Sequence, residues 1–140
     1  MKVKLDFVTN SSSTSFFAYG ISVSIADIRE NSVLLQVMYN EYLEVSKNRQ
    51  KPTKSMEQWL EEYVDGYGYE LVETLRGVCN KLNLEVSRGG SDDQIYIGIN
   101  PFDMNNDETM GEFKKRVADS LTQLELMDEP EIIEEAWMDG

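Results

Sequence analysis

Paired carboxylates are the side chains of this chain best able to do chemistry, because two of them held together can pass protons or share a divalent cation. Asp92 and Asp93 lie in one turn, and Asp103, Asp107 and Glu108 follow within a short stretch. Asp103, Asn105 and Asp107 stand where a calcium loop places its first three ligands. The match then breaks, since Glu108 occupies the position that needs glycine for the sharp turn and Lys114 the position that needs a bidentate glutamate. Acids before a helix capped by Thr109 account for the same residues through the helix dipole and its unpaired N–H groups. No spacing forces the other carboxylates together, and Asp is ordinary in turns. No metal ligand, cofactor or catalytic residue is assigned.

Other routes to catalysis are thinner. The chain has no histidine, which removes the usual general base, the commonest metal ligand and every histidine-based triad. Cys79 is the single cysteine, lies on an apolar helical face and reads as a small core residue. Gly66-Tyr67-Gly68 imitates half of a dinucleotide fingerprint, but no strand precedes it and the third glycine is missing, so it reads as a turn between helices. Ser11 to Ser15 would suit a phosphate cradle, yet no Walker lysine accompanies them.

The elements that must position these groups follow from periodicity. Val3, Leu5 and Phe7 alternate with polar residues and predict a first strand, and Phe17, Tyr19, Ile21 and Val23 predict a second. The serine-rich stretch from Thr9 to Ser15 forms the turn between them. Ser24 caps a helix that Asn31-Ser32 interrupts, and the run from Val33 ends near Ser46 to Arg49, before Pro52. Ser55 to Gln58 forms a capping box ahead of Met56, Trp59, Leu60 and Tyr63, and Leu71, Val72, Leu75, Val78, Cys79 and Leu82 give another helical face. Leu82, Leu84 and Val86, then Ile95, Ile97 and Ile99, predict a hairpin around Gly89-Gly90. Thr109 to Glu112 opens a last helix, and Ile132 to Met138 adds a strand. The expectation is one globular domain, residues 1–140, of the α+β class, with a mixed or mainly antiparallel sheet of about five strands and three to four helices packed on it.

Charge narrows the partners. The net charge is −13, and residues 91–140 hold three basic against fourteen acidic side chains, whereas residues 1–50 hold five of each. Such a field repels phosphate backbones and anionic lipid, so neither nucleic acid nor membrane is expected as a direct partner, while a basic protein surface is drawn in. No apolar run is long enough for a membrane span or an export signal, and a cytoplasmic location is expected. Trp137, set among Glu134, Glu135 and Asp139, reads either as core or as an interface anchor.

The stretch Asp6-Phe7-Val8-Thr9-Asn10-Ser11-Ser12-Ser13-Thr14-Ser15-Phe16 resembles the opening of small acidic uncharacterised proteins of tailed phages and prophages. Ile95-Tyr96-Ile97-Gly98 with Asp107-Glu108-Thr109 and Phe113-Lys114 is similar to proteins of the same kind. The resemblance covers about a quarter of the chain and brings no catalytic residue. It implies a viral protein acting in a bacterial host cell, for which inhibition of a host protein such as a restriction or CRISPR nuclease is the leading expectation. An acidic, nucleic-acid-mimicking face would do this, with Asp92, Asp93, Asp107, Glu108, Asp128, Glu129, Glu131, Glu134, Glu135 and Trp137 as candidate contacts. A phage structural or assembly protein that oligomerises, as a homo-oligomer or by strand addition, is the alternative. A small carboxylate-based enzyme is the third reading.

Overall fold

Alternation of Phe17, Tyr19, Ile21 and Val23 with smaller residues produces β1 (Ser13–Ser24). The computed structural model describes residues 13–64, 68–89 and 94–138. Along the chain follow α1 (Ile25–Glu30), α2 (Ser32–Asn48), α3 (Met56–Trp59), a π-helical turn (Leu60–Val64) and α4 (Gly68–Asn80). The hairpin strands β2 (Glu85–Arg88) and β3 (Gln94–Ile99), a 3-10 turn (Pro101–Asp103), α5 (Met110–Gln123) and β4 (Glu131–Met138) complete the described order. The architecture is α+β. Its sheet has the order β2-β3-β1-β4, and every neighbouring pair is antiparallel.

The described sheet therefore has four strands rather than about five, and there are five α-helices rather than three to four. The strand expected at Val3 to Phe7 lies outside the described residues. The extra helix arises at Asn31, which ends α1 and caps α2. Ser13 to Ser15, expected in a turn, belong to β1 and pair with Met138, Trp137 and Ala136. A partner strand more than a hundred residues away gives this polar stretch its ladder, which local propensity cannot show. Leu82, which fits both the helical face and the alternating run, lies in the turn that ends α4, so β2 starts at Glu85.

One face of the sheet carries the main core. Ile21, Val23, Ile95, Ile97 and Ile99 pack with Leu34 and Met38 of α2, Leu71 and Leu75 of α4, and Phe113, Val117 and Leu121 of α5. Each such side chain contributes roughly 1.5–3 kcal/mol by leaving water. On the opposite face Phe16 stacks on Tyr96 at 5.9 Å, and Ala18 and Ile133 are buried beside each other in register. Gly20 and Gly98 face each other across β1 and β3. A Cβ at either would run into the backbone of the other strand, so only glycine permits this approach.

Helix starts follow the sequence signals closely. Ser24, Ser55 and Thr109 each form a reciprocal capping box, with bonds of 3.1 and 3.1 Å, 3.3 and 3.3 Å, and 3.1 and 2.8 Å. The ends are less orthodox. α2, α4 and α5 all close with the Schellman pair of backbone bonds: Lys51 N to Ser46 O and Gln50 N to Lys47 O, Leu84 N to Cys79 O and Asn83 N to Asn80 O, and Leu126 N to Leu121 O and Glu125 N to Thr122 O. The left-handed residue at each is Gln50, Asn83 or Glu125, with φ of 55°, 60° and 56°, where glycine is the usual choice. Gln50→Gly is therefore expected to raise the unfolding free energy by about 1 kcal/mol, because it keeps both bonds and removes the left-handed strain. A urea midpoint unchanged or lowered relative to wild type would contradict this.

Candidate protein-interaction surface

Asn31 determines where the acidic side chains gather. Its Oδ1 accepts from Leu34 N at 3.0 Å and so caps α2, while its Nδ2 donates to Leu124 O at 3.0 Å and Glu125 O at 3.2 Å at the end of α5. These bonds draw the α1–α2 junction against the segment that follows α5. Between the two lies a groove of about 530 Å³, with Asp27 and Glu30 on one side and Glu125 and Asp128 on the other. Val33 and Met127, 41% and 69% exposed, are two of four large apolar side chains left open to solvent among the described residues, and both line it. No basic side chain does. Apolar contacts ringed by carboxylates suit a surface that offers both aliphatic stems and positive charge, which is what Lys and Arg provide. Asp27 is partly engaged already, since its carboxylate accepts from Ser24 N in the capping box.

The expected contact residues divide into several groups. Asp128 lies in the groove, and Glu129 is exposed next to it. Glu131 and Glu134 are exposed on β4, opposite Gly20 and Phe17. Glu135 and Trp137 occupy β4 opposite Phe16 and Thr14. Asp107 is exposed ahead of α5. Glu108 is committed elsewhere: it receives Arg116 Nε at 2.8 Å and Nη2 at 2.9 Å, accepts from Asn105 N at 3.1 Å, and its side chain is only 9% exposed. The Arg116 guanidinium holds the Glu108 carboxyl below its ordinary range. Glu108 thus braces the loop before α5. Asp92 and Asp93 lie outside the described residues.

Asp103, Asn105 and Asp107 show no gathered ligand set, and no cluster of three or more Cys, Asp or Glu side chains able to hold a metal occurs among the described residues. Cys79 is fully buried, and burial pushes its thiol up to about 12. No described helix is long and apolar enough to cross a membrane. No protein-family model, curated protein or solved structure matches the chain.

Sequence reading missed Asp27 and Glu30. They belong to residues 1–50, whose charges balance, and only the fold brings them to Glu125 and Asp128. The available signal was Asn31, visible as a break between two helical runs but silent about its distant partner.

Two measurements test this local account. Asn31→Ala should cost about 2 kcal/mol of stability, more than the ~1 kcal/mol of a simple N-cap, because the Leu124 and Glu125 carbonyls also lose their donor. Asn31→Asp keeps the cap and loses the donor, so its urea midpoint should fall between the two. A wild-type midpoint for Asn31→Asp would mean that the donor side contributes nothing, and losses equal to those of Asn31→Ala that the cap contributes nothing. Cys79 should resist Ellman's reagent in the folded protein and react fully in denaturant. Because its folded pKa lies above the ordinary 9.0, its contribution to stability is complete below pH 9.0 and is lost as pH rises toward about 12. Stability should therefore fall more steeply with pH above 9 in wild type than in Cys79→Ala.

Proposed function

We propose that this chain is a non-enzymatic binding protein that engages a basic surface of another protein through the groove between the α1–α2 junction and the segment after α5. The observation that carries this reading is the ring of Asp27, Glu30, Glu125 and Asp128 around the exposed Val33 and Met127. Glu129, Glu131 and Glu134 extend the acidic surface beyond the groove. Carboxylates of this kind steer a basic partner in and replace the phosphates it is built to hold, and the apolar strip supplies contact that salt does not screen. The absence of histidine and the inert thiol support recognition over catalysis. Resemblance of the Asp6 to Phe16 and Ile95 to Lys114 stretches to phage proteins favours a bacterial host protein as the target, a defence nuclease being the leading candidate.

Affinity capture from bacterial lysate at about 0.05 M and about 0.5 M salt tests the proposal, with wild type beside a Glu30→Lys/Asp128→Lys variant and a Met127→Ala variant. The expected result is a retained protein with a basic surface, released by added duplex DNA and by high salt. The charge variant should weaken it at least about tenfold and Met127→Ala less. Glu108→Gln should lower stability and leave capture unchanged. Capture that survives high salt and both charge reversals would instead favour strand pairing at the β4 edge, and the groove would then have no role.

A further inference from the structure

The cations of this acidic chain are mostly spoken for. Lys54 pairs with Glu62, Arg76 with Glu73, Lys81 with Glu41 and Glu44, Lys115 with Asp119 and Arg116 with Glu108, while Lys114 lies over the Tyr19 ring. Lys47, Arg49 and Lys51 hold no ion pair among the described residues, although acids outnumber bases 26 to 13. Arg49 and Lys51 line a cleft of about 410 Å³ between the C-terminal turns of α2 and the first half of α4.

The cleft is held open and shaped by the fold. Gly77 of α4 leaves room for Glu41 of α2, whose carboxylate would crowd a Cβ there, and Lys81, just past α4, ties Glu41. Toward Arg49 the helices leave space, and Tyr42 and Tyr63 line it, their rings 5.8 Å apart and inclined by 58°. Tyr42 is fixed in place by Lys54 N, which donates to its hydroxyl at 2.8 Å. Its acidic walls are partly neutralised, since Glu41 and Glu73 are paired with Lys81 and Arg76, which leaves Glu70 at the start of α4.

A second feature sets this end of α2 apart. In the Schellman turns of α4 and α5 the residues that flank the turn, Leu84 with Cys79 and Leu126 with Leu121, are buried in the core, as that motif normally arranges. The corresponding pair at α2 is Lys51 and Ser46, and both line the cleft. An exposed lysine stands where packing would be expected, and the backbone bond from Lys51 N to Ser46 O at 2.9 Å fixes its origin beside Arg49.

We infer that this cleft binds a small anion joined to a flat ring, of the size and chemistry of a nucleoside monophosphate. The phosphate lies between Arg49 and Lys51, whose fork and point charge suit its oxygens, and the ring lies against Tyr42 and Tyr63. The net charge of −13 disfavours a polyanion and leaves room for a single small one. This site is separate from the groove at the other end of α2, and neither inference depends on the other.

Trp59 lies fully buried with its ring 6.2 Å from that of Tyr42, so its fluorescence reports on the cleft once Trp137→Phe makes it the sole tryptophan. Adenosine 5′-monophosphate, adenosine and inorganic phosphate are titrated into that protein, with calorimetry alongside. The monophosphate should bind saturably, and adenosine or phosphate alone at least about tenfold more weakly. Arg49→Gln and Lys51→Gln, both at exposed positions, should each weaken binding about tenfold, while Lys47→Gln leaves it unchanged. No saturable binding at millimolar ligand overturns the proposal. Equal losses from all three glutamine variants would reduce it to diffuse charge, and equal affinity for phosphate and the monophosphate would remove the ring from it.

Discussion

The Asn31 side chain is the constraint on which the arrangement of this protein turns. A single amide stops α1, starts α2 and closes the far end of α5, a segment more than ninety residues away. Its backbone N–H also donates to Ile28 O at 3.0 Å and its carbonyl receives Leu35 N at 2.9 Å, so every polar group of the residue has a partner. Such an amide defines one geometry, because rotating it by half a turn exchanges donor for acceptor and leaves both ends of the network unpaired. The angle between α1 and α2, the closure of α5 and the convergence of four carboxylates are consequences of the same set of bonds.

What the sequence revealed, and what it hid, follows from the range of the interactions involved. The capping boxes at Ser55 and Thr109 and the cap at Ser24 were legible because donor and acceptor lie three residues apart, and β3 was legible because Ile95, Ile97 and Ile99 alternate without interruption. Ser13 to Ser15 were illegible as a strand because their pairing partners come from the other end of the chain. The start of β2 was read too early because Asn83, not glycine, takes the left-handed position after α4, and Leu82, which also fits the helical face, then looked like the first residue of an alternating run. Glu108 looked like a free acid in a loop. A bidentate arginine eight residues later, on the next helix, occupies it.

Part of the charge pattern serves the helices. Lys47 near the end of α2 opposes the negative pole of the helix dipole, an interaction worth about 0.3–1 kcal/mol and screened by salt. That explanation suffices for Lys47. It does not extend to Lys51, which lies beyond the helix on the returning chain, nor to Asp128 and Glu125, which come from a different element. For these residues concavity is the distinguishing fact: they line a groove or a cleft together with exposed apolar or aromatic side chains, whereas a solvated charge serves as well on a convex surface.

An overall charge of −13 would be expected to swamp a local cluster of two or three cations, and the geometry of α2 explains why it need not. The helix runs from the acidic groove at Ser32 and Val33 to the cleft at Ser46 that holds Arg49 and Lys51, and its 17 residues span about 25 Å. At physiological ionic strength the Debye length is about 8 Å, so the potential of one end is largely lost before it reaches the other. Net charge therefore governs how the whole molecule behaves toward polymers and surfaces, while each concavity presents the balance of the charges near it: four carboxylates and no cation in the groove, Arg49 and Lys51 beside the paired Glu41 and Glu73 in the cleft. A rigid helix longer than the screening length keeps these two charge environments apart.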